Sequence, residues 1–239
     1  EAAFQFPQPA LRAARAALAG TASRRVSAMS IAAGATAGDR HLDLGCGARP
    51  RNPYGRRSLY GVDLYRPQTD VDFEFAAANL ALEPIPFASG LFGSVSAFDF
   101  IEHVPRVLNG REPNTTCFPF VRLMDEVWRV LAPGGLFYAL TPCFPSAPAF
   151  MDPTHVNIIT DRTHEYFCGE QPIARMYGFT GRFEARLARW VIPEHSYTKT
   201  ALTLKQSIAR WRRERRGRMV YFLWELEAIK PLSTVVQDG

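Results

Sequence analysis

The stretch that most constrains this chain is His41-Leu42-Asp43-Leu44-Gly45-Cys46-Gly47, followed by a second apolar run that closes on Tyr60-Gly61-Val62-Asp63. Two short apolar runs, the first ending in Gly-x-Gly and the second in an acid, specify neighbouring parallel strands of a doubly wound α/β sheet. Glycine lets the backbone turn sharply and lets a ligand approach where a Cβ would collide. A carboxylate at the end of the second strand is placed to accept hydrogen bonds from two ribose hydroxyls. Asp43, two residues before the first glycine, adds an acid that a pyrophosphate pocket does not need, and so favours a cationic ligand. The third glycine of a dinucleotide fingerprint is replaced by Pro50. With Pro53 it denies the chain a regular crossover helix between Gly47 and Tyr60, because proline removes a backbone donor and opposes helix continuation. A nicotinamide-dependent dehydrogenase is disfavoured on both counts. Arg49 or Arg51 then becomes the candidate to supply the charge that a helix N-terminus would have given.

Further along, strands are expected at about 40–44, 58–63, 71–75, 93–99, 136–140, 182–191 and 220–230, the last of them antiparallel. Phe120, Leu123, Val127 and Val130 recur at helical spacing, so 118–131 reads as an amphipathic helix ended by Ala132-Pro133-Gly134-Gly135. A weaker helix is expected over 164–177, and two helices over 8–20 and 22–34. The 239 residues are 47% hydrophobic, enough for one large domain with additions. The net charge of +5 is uneven, with Arg210-Trp211-Arg212-Arg213-Glu214-Arg215-Arg216-Gly217-Arg218 carrying much of it. That segment makes 193–218 a basic insertion and keeps RNA or another polyanion open as a partner, beside a plain solvated face. Cys46, Cys117, Cys143 and Cys168 form no CxxC pair, which fits a reducing cytoplasm. No apolar run is long enough to span a bilayer, and the start of the chain lacks an apolar signal core.

Four motifs in order, LDLGCG, YGVD, FDFIEHV and LAPGG, resemble the class I S-adenosylmethionine-dependent methyltransferases, of the type 11/12 kind, over roughly residues 39–180. The resemblance implies a seven-stranded, mostly parallel Rossmann-like sheet with an antiparallel last strand, and S-adenosyl-L-methionine as methyl donor. It implies that 1–37 is an N-terminal helical lid on a domain spanning 38–239. It places Asp43 at the methionine end of the donor, Gly45 and Gly47 against the donor backbone, Asp63 at the ribose and Asn79-Leu80 at the adenine, with Cys46, Leu64 and Phe98 also among the donor-binding residues.

Chemistry is expected where the fourth strand ends, at Asp99-Phe100-Ile101-Glu102-His103. A helical turn after the strand would put Asp99 on one face with Glu102 and His103. His155, in Met151-Asp152-Pro153-Thr154-His155, is the distant fourth member. The acid-x-x-Glu-His pattern with a later histidine resembles metal-dependent O-methyltransferases, with Asp99 where those carry glutamate. Asp99, Glu102, His103 and His155 are therefore candidate ligands of a divalent cation, with two histidines suiting Mn²⁺ better than Mg²⁺. The alternative is that His103 or His155 is a general base, with Glu102 orienting it, since neutral imidazole can take a hydroxyl proton near pH 7. Phe144, Phe150, Tyr166 and Phe167 line either an acceptor pocket or core, and Thr141–Pro145 reads as an active-site loop. The leading expectation is O-methylation of a small-molecule or glycan-like acceptor. A polyanion methyltransferase and a non-catalytic donor- or partner-binding module are the alternatives.

Overall fold

The computed structural model describes residues 36–110 and 112–231, so the expected helices at 8–20 and 22–34, and with them the lid, lie outside the described residues. Seven strands form one sheet in the order β3-β2-β1-β4-β7-β9-β8. They are β1 (Arg40–Leu44), β2 (Ser58–Asp63), β3 (Glu74–Ala77), β4 (Phe92–Phe98), β7 (Leu131–Pro142), β8 (Phe183–Val191) and β9 (Tyr221–Ala228). A two-stranded hairpin, β5 (Leu108–Asn109) with β6 (Thr116–Cys117), stands apart. Pairing is parallel from β3 through β7, and β9 runs antiparallel to both of its neighbours. This is the Rossmann-like methyltransferase fold, with the chain reversing between β3 and β4, so that β1 and β4 lie side by side. A ligand crevice is expected outside their carboxyl ends.

The two faces of the sheet are built differently. On one, Leu42, Leu44, Val62, Val95, Ala97, Phe137, Ala139, Trp224 and Leu226 are buried together. Helix α1 (Pro119–Val130) packs Phe120, Leu123, Met124, Val127 and Val130 into that same cluster. On the other, the alternate residues of the same strands include His41, Asp43, Ser94, Ser96 and Glu225, all buried and polar. The β1–β2 connection has no helix. Asn52 organises it, its Oδ1 accepting from Arg56 N at 3.0 Å and its Nδ2 donating to Arg56 O at 2.8 Å.

Four expected elements are corrected. β3 lies at 74–77 rather than 71–75, because its register is fixed by pairing Tyr60 with Glu74 and Asp63 with Ala77. The 136–140 strand starts earlier and ends later, with Ala132–Gly135 forming a bulge between the Phe92–Leu131 and Ser94–Leu136 pairs. Thr141 and Pro142 accordingly belong to β7 rather than to a loop. The 164–177 helix is two 3-10 turns, Thr163–Phe167 and Ile173–Tyr177, because Gly169 takes a left-handed φ of 87° and Pro172 follows it. The basic insertion does hold a helix, α2 (Leu204–Arg215).

Candidate active site

At the carboxyl ends of β1 and β4, Asp43, Gly45, Cys46, Gly47, Ala48, Arg49, Arg51, Phe98 and Asp99 line a cavity of about 390 Å³. Gly45 has a φ of 70°, and a Cβ there would lie 2.6 Å from Cδ2 of Phe100, so the turn admits only glycine on two independent grounds. Asp63 fastens the loop: its Oδ2 accepts from Gly47 N at 2.8 Å and its Oδ1 from Leu64 N at 2.6 Å. Cys46 lines the cavity, and its thiol packs against Gly61, where a Cβ would come within 2.5 Å of Sγ. Burial pushes that thiol up to about 12.

Asp43 is nearly inaccessible. Its Oδ2 accepts from Arg51 N at 2.7 Å, and its Oδ1 accepts from the Ser96 hydroxyl at 2.5 Å. Ser96 Oγ lies 2.9 Å from His41 Nε2, and His41 Nδ1 lies 2.8 Å from Ser94 Oγ. When Asp43 is ionised the Ser96 proton goes to it and Ser96 accepts from His41, which assigns the proton to Nε2 in that state. Burial pushes Asp43 up to about 7, against the hydrogen bonds from Ser96 and Arg51, and pushes His41 down to about 4. The side chain of Arg51 lies over the Tyr197 ring at 4.3 Å and the Phe98 ring at 5.7 Å, forming the cavity wall. Arg49 and Arg51 are both exposed cations of this lining.

Two of the adenine-end expectations separate. Leu80 is 4% exposed, with its side chain packed in the main core. Asn79 uses Oδ1 to accept from Ala81 N at 3.1 Å, so its free polar group is the Nδ2 amide. Leu64 is exposed beside Asp63.

Beyond Phe98 the chain leaves the sheet. Glu102 and His103 lie in a 3-10 turn, Ile101–His103, rather than in a helical turn begun at Asp99. Asp99 has a φ of 48°, which turns it towards the cavity and away from the cluster. Ligand atoms of Glu102, His103 and His155 all lie within 4.8 Å of one another, and Asp99 is not among them. The expected quartet is therefore a triad. Glu102 is buried, accepts from Thr141 Oγ1 at 2.9 Å through Oε2, and has no partner for Oε1 among the described residues. Burial pushes it up to about 7. The His103 and His155 rings meet edge to face at 4.7 Å, and His155 Nδ1 is buried without a partner among the described residues. Thr154 Oγ1 donates to Asp152 Oδ1 at 2.6 Å and lies 2.9 Å from His103 Nδ1. With its own proton committed, Thr154 accepts from Nδ1–H, leaving the His103 Nε2 lone pair available.

Sequence reading missed Asn157, which holds the His155 loop in place. Its amide N–H donates to Glu102 O at 2.9 Å, its Nδ2 to Ile101 O at 3.0 Å, and its Oδ1 accepts from Arg106 Nε at 2.6 Å. It also missed Ser96, whose polarity in an apolar strand is the available signal, while Thr141, expected in an active-site loop, lies in β7 and donates to Glu102. Of the expected acceptor aromatics, Phe167 is core, Phe144 and Phe150 are about half exposed, and Tyr166 lines a separate cavity of about 420 Å³ with Arg106, Phe118 and Tyr177.

No family model matches the chain, and no curated protein matches it. Solved structures are similar to it in fold. The cyclase SpnF is 16% identical over 80% of this chain and 75% of its own, with a TM-score of 0.47. A putative methyltransferase from Haloferax volcanii, solved with the Trm112 methyltransferase activator, is 15% identical over 81% and 84%, at 0.48. A geranyl diphosphate C-methyltransferase from Streptomyces coelicolor A3(2), solved with Mg²⁺, geranyl diphosphate and S-adenosyl-L-homocysteine, is 18% identical over 80% and 71%, also at 0.48. The assignment of fold rests on the strand order and directions given above.

Proposed function

We propose that the protein transfers a methyl group from S-adenosyl-L-methionine to a hydroxyl of a small-molecule or glycan-like acceptor. The observation that carries this reading is the Gly45–Gly47 turn, tied to Asp63 and lying over buried Asp43, beside a Glu102–His103–His155 cluster. The donor supplies an electrophilic methyl group on a sulfonium. The cavity is of ligand size and its left-handed turn brings backbone rather than side chain to the wall, so the residues fit such a group. Asp43 would receive the ammonium of the methionine end, and a cation there favours its ionised form. Asp63 keeps lone pairs for ribose hydroxyls beyond those it gives Gly47 and Leu64. Asn79 Nδ2 would donate to an adenine ring nitrogen.

His103 Nε2, held by the Thr154–Asp152 relay, would take the proton of the acceptor hydroxyl. As an alternative to that base role, the unpartnered atoms of Glu102 and His155 fit a divalent cation, Mn²⁺ rather than Mg²⁺, with Glu102, His155 and the His103 Nε2 lone pair as its protein ligands. Such an ion would polarise the acceptor oxygen.

Calorimetric titration with S-adenosylhomocysteine, with and without Mn²⁺, tests the donor half. Asp63→Ala should weaken binding at least tenfold, about 1.4 kcal/mol. Unchanged affinity would remove Asp63 from the ribose. Tight donor binding without methyl loss to any hydroxyl acceptor would leave a binding module.

A further inference from the structure

Helix α2 is built the wrong way round for a helix that serves only to cover a domain. A surface helix of a globular protein turns its apolar stripe to the core. No residue of α2 is buried. Gln206, Ser207, Ala209 and Arg210 are its half-covered residues. Leu204, Ile208 and Trp211, spaced i, i+4 and i+7 and so forming one stripe, are 78%, 41% and 52% exposed. The helix does not depend on that stripe to form. Thr203 Oγ1 accepts from Gln206 N at 3.3 Å, and Gln206 Oε1 accepts from Thr203 N at 2.8 Å, closing a capping box. Arg210 pairs with Glu214 at 3.1 Å, and Arg215 stacks on Trp211 at 5.0 Å.

The surroundings of the stripe are cationic. Lys205, Arg212, Arg213, Arg215, Arg216 and Arg218 have no carboxylate within ion-pair distance among the described residues. An outward row of Leu, Ile and Trp with arginines and a lysine about it matches a helix lying in the plane of a membrane interface. Just beyond its C-terminal end, Gly217 and Arg218 share a cleft of about 590 Å³ with Pro145–Pro148. The same loop carries exposed Phe144, Phe150 and Met151.

We infer that α2 docks the protein on an anionic phospholipid surface. Leu204, Ile208 and Trp211 enter the headgroup–acyl boundary, and the flanking cations meet lipid phosphates. RNA is the weaker occupant, because stacking and phosphate contacts use Trp211 and the arginines but give Leu204 and Ile208 no partner. A second copy is weaker still, because a two-fold contact sets this patch against itself and opposes its unpaired cations. The inference does not depend on the methyl-donor reading, and it concerns lying on a membrane, not crossing one. No helix among the described residues is long and apolar enough to cross.

The test is co-sedimentation of the full chain with vesicles of phosphatidylcholine alone and of phosphatidylcholine doped with phosphatidylglycerol. Binding should require the anionic lipid and weaken as salt is raised. A blue shift of tryptophan emission should accompany it and vanish in Trp211→Phe. The double variant Leu204→Ser/Ile208→Ser should partition at least tenfold less well. Both positions are exposed, so circular dichroism and melting temperature should match the parent and certify the fold. Equal binding to neutral vesicles, or undiminished binding by the double variant, would overturn the inference. So would tight binding of poly(U) indifferent to the double variant with no vesicle binding, or a dimer that the double variant dissolves.

Discussion

The two faces of the sheet solve the same problem with different chemistry. Under α1 the strands present Leu42, Val95, Phe137 and Trp224, and burial of apolar area accounts for the cohesion. Under the β1–β2 loop, the alternate positions present His41, Asp43, Ser94, Ser96 and Glu225, and hydrogen bonds in which each partner orients the next add to a smaller apolar cluster of Phe98, Tyr138, Leu140, Val191 and Leu223. The first face can tolerate exchange of one apolar side chain for another of like volume. The second cannot, because removing a partner leaves a buried polar atom unpaired. The candidate donor cavity opens at the end of the second face, where a rigid, electrically defined floor holds Asp43 at the base of the pocket.

The comparison predicts different responses to truncation, and the largest belongs to the apolar face. Phe137→Ala should cost about 3–5 kcal/mol, because it opens a cavity between fully buried neighbours. Urea denaturation should show the loss at every pH. A cost below about 1 kcal/mol would mean that this face is not the source of cohesion.

On the polar face the signature is pH dependence. Asp43 titrates near 3.8 when unfolded and is pushed up to about 7 in the fold, so between these values the native state holds more protons. Its contribution to stability therefore falls as pH rises from about 4 to 7. His41 runs the other way. Its pKa falls from 6.5 to about 4, so its contribution is present above 6.5 and lost as pH drops. The two slopes oppose each other over most of that window. Asp43→Asn can keep its bond from Arg51 N if Ser96 and His41 reverse their donor roles together. Relative to the parent, the variant should gain about 2–4 kcal/mol between pH 4 and 7. A constant difference across that range would show that Asp43 is ionised in the fold.

Much of this architecture was legible in the sequence, and the reasons differ by region. β1 and β2 were placed to the residue, because Gly45 and Asp63 mark where backbone must turn and where an acid must stop. The helix-free β1–β2 connection followed from Pro50 and Pro53. β3 lies later than its own pattern suggests, because its position is set by pairing with β2. Asp99 does not join Glu102 and His103 as a helical turn would require, because a positive φ redirects it. The pairing within the polar face is hidden for a different reason. His41 and Ser96 are 55 positions apart, and serine within an apolar strand gives no hint of its partner. Cys46 and Gly61 pack together for a similar reason that only the register of β1 against β2 reveals.

The smallest effect should come where the polar face meets the loop above it. Tyr54 donates to Glu225 Oε1 at 3.1 Å and packs edge-on against Tyr138 at 5.9 Å, while Pro53 O accepts from Lys199 N at 2.9 Å. Tyr54→Phe keeps the ring and deletes one bond to a carboxylate that retains Lys199 as its partner. The expected cost is about 1 kcal/mol, since only one of the carboxylate's partners is lost. Its location is more informative than its size. The Lys199 amide, bonded to Pro53 O, should exchange faster with deuterium while amides of β7 and β9 stay protected, because the change loosens the loop without opening the sheet. If β7 and β9 exchange faster as well, the loop is a structural part of the core rather than a cover laid on a finished sheet. The contrast between the two faces would then be one of chemistry only.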